Sequence, residues 1–211
     1  MKKNTPRSRR DEPLVYVVDD DDAIRDSLDM LLESMGLARR VFASAFEFLE
    51  AYDPEQHACL VADIRMPGMS GLDLQEKLNE MRAGIPIVFI TGHGDVPTTV
   101  RAMKGGAVDF LQKPFNDQEL LDCVQRALTR SREQRGERAE RAELQVRLDV
   151  LTPREREVLL QVVTGKLNKQ IAGDLGIAEK TVKVHRGRVM EKMRAGSVAD
   201  LVRMVEKLGL S

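Results

Sequence analysis

Four short apolar runs interrupt the first 128 residues: Leu14–Val18, Cys59–Ala62, Ile85–Ile90 and Val108–Leu111. As a set they are rich in β-branched or aromatic residues, and each is bounded by Asp, Gly or Pro, the pattern of buried parallel strands. A weaker fifth run covers Arg40–Ala43. Between the runs, apolar residues recur at helical spacing. Ile24, Leu28, Leu31, Leu32 and Met35 line one face, and Leu72, Leu74, Leu78 and Met81 contribute another. Strands alternating with helices of this length predict a right-handed α/β fold, a five-stranded parallel sheet covered on both faces.

The pattern changes after Leu128. Residues 129–150 are dense in Arg and Glu, with Glu133 and Glu137 at helical spacing from Arg141. They predict a charged helical linker, interruptible at Gly136, and apolar a/d positions are too few for a coiled coil. From Leu151 to Ser211 the periodicity is helical throughout, which predicts a separate all-α domain. Residues 1–13 are polar and basic and carry Pro6 and Pro13, the composition of a flexible leader with no required role. The layout is therefore leader 1–13, α/β domain 14–128, linker 129–150 and helical domain 151–211.

A net charge of −1 conceals two halves of opposite sign. Residues 14–128 hold ten Lys/Arg against twenty Asp/Glu, and residues 151–211 hold twelve against seven, so the halves suit different partners. No apolar run approaches the ~20 residues of a membrane span, and the basic start is not followed by an apolar signal segment, so no membrane role and a cytoplasmic location are expected. Cys59 and Cys123 lie in apolar surroundings without metal-ligand spacing and are expected as buried free thiols.

The candidate chemistry sits at strand ends. The first strand runs into Asp19-Asp20-Asp21-Asp22, and the third ends at Asp63, just before a Pro67-Gly68 turn. In a parallel sheet these are carboxyl ends of neighbouring strands, where ligands of open α/β sheets bind. An oxygen-only acidic cluster without His or Cys points to Mg2+. Asp21 and Asp22 are accounted for by the start of the first helix, where negative charge suits the dipole; Asp63 is not. Thr91 and Lys113, the latter followed by Pro114, stand at two more strand ends.

The order Asp-Asp, Asp, Thr, Lys-Pro at successive strand ends resembles the receiver domain of bacterial response regulators. That resemblance implies a flavodoxin-like strand order, phosphorylation of Asp63 by a sensor histidine kinase, and Mg2+ held by Asp19, Asp20, Asp63 and the backbone carbonyl of Arg65. Lys113 would meet a phosphoryl oxygen and Thr91 would donate its hydroxyl. Thr91 would then move toward the phosphoryl group with Phe110 following inward, although spacing alone reads Phe110 equally well as a core aromatic. Lys113-Pro114 is expected to be cis, as in similar domains. His93, in a Gly-His-Gly loop, serves loop shape rather than proton transfer. The segments from Thr91 to Pro97 and from Met103 to Phe110 resemble the FixJ-like branch, which implies homodimerisation on phosphorylation through the helix after Pro97 and the strand at Phe110.

In the basic half, Thr152-Pro153-Arg154-Glu155 reads as a capped helix start. Asn168–Leu175 reads as a short helix, Gly176-Ile177-Ala178 as a tight turn and Glu179 to about Met193 as a longer helix, together a helix-turn-helix. Val182, Val189 and Met193 form the inward side; Lys180, Lys183, Val184, Gly187 and Arg188 form the outward one. An outward Val has no core reason to be there and suits a thymine methyl. Leu151 to about Leu208 resembles the LuxR/FixJ-type output domain, which implies double-stranded promoter DNA as partner, base contacts from Lys183 and Val184, and RNA polymerase as a further partner. Arg186, Arg188, Lys180 and Lys169 are the expected remaining DNA contacts, and His185 is expected to pack. The stripe Val198, Leu201, Val202, Val205 of the last helix serves either internal packing or subunit pairing. Taken together, the sequence reads as a phosphorylation-controlled transcription factor and not an enzyme; its rivals are an Asp-nucleophile phosphohydrolase and an adaptor or RNA-binding regulator.

Overall fold

The computed structural model describes Arg10, residues 12–92 and residues 95–210, which form two compact units meeting between Arg135 and Gly136. The first unit alternates β1 (Leu14–Val18), α1 (Asp22–Ser34), β2 (Ala38–Phe42), α2 (Ala45–Ala51), β3 (Ala58–Asp63), α3 (Gly71–Glu80), β4 (Ile87–Thr91), α4 (Val96–Lys104) and β5 (Asp109–Gln112). All pairings are parallel, in the order β2-β1-β3-β4-β5.

Alternate side chains of each strand face opposite layers. Tyr16, Val18, Leu60, Ala62 and Phe89 pack with Phe48, Leu72, Leu74, Leu78 and Ala102 on one side. Val15, Val17, Cys59, Val61, Val88 and Ile90 pack with Leu28, Leu32, Leu120, Val124 and Ala127 on the other. Both parities are buried, which is why these strands read as continuous apolar runs and not as alternating ones. The weaker run at Arg40–Ala43 is β2, shifted two residues earlier at its start; it is an edge strand, and Val41 is exposed. Met35 and Met81 do not join the buried faces: both are exposed, because each sits at the C-cap, beyond the last turn that faces the sheet. Both cysteines are buried and free.

The helical chain expected between the units is present, and one expectation about it needs correction. The helix α5 runs unbroken over Asp117–Asp149, with no interruption at Gly136. Its last turns are not a solvated spacer, since Leu144 and Leu148 are buried with Leu151 in the core of the second unit. Spacing of three to four residues puts all three on one stripe, and the compact unit that includes these turns runs from Gly136. Of the leader, residues 1–9 and 11 lie outside the described residues; Arg10 pairs with Asp53 at 3.1 Å and its carbonyl accepts from the His57 N–H at 2.9 Å, which ties that end down.

The second unit adds α6 (Pro153–Val163), α7 (Asn168–Leu175), α8 (Glu179–Met193) and α9 (Val198–Leu208). Thr152 and Glu155 form the expected capping box. Glu155 also accepts from Lys192 at 2.6 Å, although its side chain is almost wholly buried. The Lys192 ammonium and then the Thr152 N–H pull the Glu155 carboxyl from its ordinary 4.5 down to about 2. A depressed carboxyl stabilises the fold above its unfolded value, and that contribution is lost as pH falls from 4.5 toward about 2. Glu155→Gln is expected to flatten the loss of stability over that window, read by urea unfolding of the full chain at stepped pH; an unchanged slope refutes the assignment. No helix among the described residues is long and apolar enough to cross a membrane.

Candidate functional site

Strand order reverses between β1 and β3, so the crevice at their carboxyl ends is the natural ligand position of this sheet. Asp19 follows β1 and Asp63 ends β3. They are only 1% and 6% exposed, a costly arrangement for two carboxylates without a cation. Lys113, just past β5, supplies one: its Nζ donates to Asp19 Oδ2 at 2.7 Å and to Asp63 Oδ1 at 3.0 Å. The Lys113 N–H donates to the Thr91 carbonyl at 2.7 Å, and its bond to Pro114 is cis, as expected. Thr91 ends β4, fully buried, and pairs in register with Gln112.

The remaining atoms of both carboxylates are held by backbone. The Arg65 N–H donates to Asp63 Oδ2 at 2.5 Å, and the Asp21 N–H to Asp19 Oδ1 at 2.9 Å. Burial lifts the Asp63 carboxyl above its ordinary range, with Lys113 opposing it. Burial works against the Lys113 ammonium, but Asp19 and Asp63 outweigh it and hold Lys113 above its usual value. Asp63 is thus a fixed, poorly hydrated carboxylate next to a fixed cation, which suits a nucleophile toward an electrophilic anion.

Asp19, Asp63 and Lys113 converge, and the main chain of Lys113 places the end of β4 at Thr91 beside them. Asp20 does not join them: it is exposed, at the bend where the chain leaves β1 for α1. Among the described residues, no group of three or more His, Cys, Asp or Glu stands close enough to hold a metal. The donor set is nonetheless oxygen only, with two buried carboxylates sharing one ammonium, and fits a hard divalent cation. Phe110 is half-buried and packs against the core on the α3 side of the sheet. Asp21 caps α1 as expected, its side chain accepting from the Ala23 N–H. His93 lies outside the described residues.

Some site residues escape sequence reasoning. Arg25 donates to the Asp19 carbonyl at 2.6 Å and pairs with Asp22. Gly71 opens α3 directly behind the nucleophile, and a Cβ there would lie 2.3 Å from the Asp63 carbonyl oxygen and 3.0 Å from the Phe89 ring. Gly71→Ala is therefore expected to force β3 and α3 apart and cost about 1–3 kcal/mol, read as a lower unfolding midpoint of the first unit by calorimetry. An unshifted midpoint would refute the contact.

In the second unit, the left-handed Gly176 (φ +64°) makes the tight turn between α7 and α8. Val182, Val189 and Met193 are fully buried, while Lys180, Lys183, Gly187 and Arg188 are exposed and Val184 is 48% exposed, as the helical spacing predicts. Lys169, near the start of α7, is exposed too. Arg186 differs: it is half-buried and donates to Asn168 Oδ1 at 3.0 Å, so it ties α8 to the start of α7. His185 is half-buried. Of the α9 stripe, Leu201 and Val205 are buried in the unit's own core.

Residues 15–125 match the response regulator receiver domain, and residues 149–205 match the luxR family of bacterial regulatory proteins. The chain is 54% identical to nodulation protein W of Bradyrhizobium diazoefficiens, across 94% of this chain and 87% of that protein. It is 49% identical to transcriptional regulatory protein FixJ of Azorhizobium caulinodans, across 93% of each. Among solved structures, response regulator StyR superposes with a TM-score of 0.80 at 53% identity, covering 93% of this chain and 99% of that one. Full-length FixJ from B. japonicum gives 0.57 at 40% identity, covering 95% and 99%.

Proposed function

Because this chain belongs to the response regulators, with a receiver domain and a LuxR-type DNA-binding domain, we propose that Asp63 accepts a phosphoryl group and thereby controls promoter binding by α8. The observation that carries the reading is the Asp19–Lys113–Asp63 ion triad at the switch point of the sheet. A receiver domain implies a histidine kinase as donor. A carboxylate oxygen of Asp63 forms the new bond to phosphorus as the P–N bond of the phosphohistidine breaks, and the imidazole leaves with the electron pair. Two negative groups must approach each other in this step, and Lys113 lowers that cost from its fixed position. Thr91 follows the phosphoryl group with its hydroxyl, and Phe110 moves inward behind it.

Receiver domains generally bind Mg2+ at the phosphorylation site. Here Asp19, Asp63 and the Arg65 carbonyl would hold it, with Asp20 turning in from its exposed position to join them, and when bound it would neutralise charge on the transferring oxygens. The chain acts as a stoichiometric acceptor in the cytoplasm and not as a turnover enzyme. Phosphorylation drives a homodimer through α4 and β5, where Val96, Val100 and Met103 are exposed, and the bound dimer engages RNA polymerase. Lys183 and Val184 meet base edges, and Lys169, Lys180, Arg186 and Arg188 meet the phosphate backbone, with Arg186 doing so while bonded to Asn168.

Acetyl phosphate with Mg2+ should load one phosphoryl group per chain, measured by intact mass, and tighten binding to genomic promoter fragments in a mobility shift. Chelating Mg2+ should stop the loading while leaving the folded chain's circular dichroism intact. Repeated turnover of phosphoesters without a lasting adduct, or no shift of duplex DNA in either state, would overturn the proposal.

A further inference from the structure

Among the described residues, α4 is packed more firmly at its last turn than at its first. Its single buried residue is Ala102, in the last turn, and no residue from Val96 to Val100 is buried; Val96 is 76% exposed. The cap at its start is the helix's own: Asp95 accepts from the Thr98 N–H at 2.7 Å, and the Asp95 carbonyl from the Thr99 hydroxyl at 3.1 Å.

The last turn, by contrast, is tied to α3 by three side chains on one face of that helix. Gln75 is buried, and its Nε2 donates to the Ala102 carbonyl at 3.0 Å. Asn79 Nδ2 donates to the Gly105 carbonyl at 3.0 Å, and Glu76 pairs with Arg101 at 2.6 Å. Residues 75, 76 and 79 recur at helical spacing and so present together two amides to the Ala102 and Gly105 carbonyls and one carboxylate to Arg101, all at the end of α4. Gly105 makes the close fit possible, since a Cβ there would sit 2.5 Å from Gln75 Oε1. A buried amide is costly unless bonded, so a leucine or methionine would serve plain packing at position 75 better than glutamine does.

We infer that Gln75, with Asn79, is a positioning residue of the phosphorylation switch: it anchors the C-terminal turn of α4 so that the response to Asp63 is confined to a swing of the N-terminal turns. This rests on the reading of Asp63 as the phosphoryl acceptor, but the anchor itself exists without phosphate. A helix with one weakly packed end and one bonded end opens locally at the former at little cost. The fixed end converts a small displacement near the strand ends into a rotation of the exposed Val96 and Val100 face, instead of a drift of the whole helix.

Hydrogen exchange on the full chain tests the anchor first. Gln75→Met keeps the volume and removes the donor, and in the unphosphorylated protein it should speed exchange of the Gly105, Gly106 and Ala107 amides about five- to tenfold. No increase overturns the anchor. In the wild type, acetyl phosphate with Mg2+ should change exchange at residues 96–100 and leave 102–107 unaltered; an equal change at both ends overturns the pivot. The variant should also take up phosphoryl to the wild-type level, while the gain in promoter affinity on phosphorylation shrinks at least about threefold. A residue with only a stabilising role would lower the unfolding midpoint and leave that ratio intact, which would overturn the assignment. If the wild type takes up no phosphoryl group, the Asp63 reading fails, and the unphosphorylated comparison still decides whether Gln75 anchors the helix.

Discussion

Asp63→Asn is expected to reduce phosphoryl uptake from acetyl phosphate at least about a thousandfold, below detection by intact mass. The amide keeps the shape of the carboxylate and can still accept from the Arg65 N–H, so the fold should survive. It lacks the charge that makes an oxygen nucleophilic, and an amide cannot form the acyl phosphate. The substitution also removes one of the two anions bound by Lys113, leaving Asp19 as its carboxylate partner at 2.7 Å. Because Asp63 is held above the ordinary carboxylate range by burial, replacing it with a neutral group should raise stability at neutral pH or leave it unchanged. Lost uptake together with an undiminished unfolding midpoint is the expected pair of results. Uptake at the wild-type rate would mean that the acceptor lies elsewhere.

Val184→Asp should weaken promoter binding by the phosphorylated chain at least about a hundredfold, because it sets a carboxylate against the floor or wall of a groove lined with phosphates. Val184 is 48% exposed and its neighbours Val182 and Val189 carry the core contacts, so the helix should fold as before. Phosphoryl loading, which belongs to the other unit, should be unchanged. Titration in a mobility shift at fixed salt measures the loss. Wild-type affinity with this substitution would show that α8 does not enter the groove with this face.

The placement of Asp19, Asp63, Thr91 and Lys113 was readable from sequence because each stands at or just past a strand end, and strand ends are marked locally by apolar runs meeting Asp, Thr or Lys. The same holds for the capping box of Thr152 and Glu155, which spans a single turn. The outward lysines and Val184 followed from helical period alone, since the buried partners Val182, Val189 and Met193 fix the opposite side. Asp20 shows the limit: its place beside Asp19 in sequence says nothing of how the chain bends between β1 and α1, and the folded segment exposes it. Arg186 shows another, because only the packing of α8 on α7 brings its guanidinium to Asn168. The linker misled through its charge density. Leu144 and Leu148 are sparse among Arg and Glu, yet a helix needs only one residue per turn on a stripe to join a core.

Legible in the residues were the existence and order of the strands and helices, most of the inward helix faces, and which acidic, hydroxyl and basic residues occur at strand termini, because these depend on residues within a turn or a pleat of one another; element bounds moved by a residue or two, as at β2. The tertiary structure alone decided which of those groups meet. Lys113 reaches Asp19 across 94 positions, and Gln75 reaches Ala102 across 27. Separations of that size are closed by crossover connections and sheet order, whose pairing energy is distributed over the whole core and leaves no mark on the residues between.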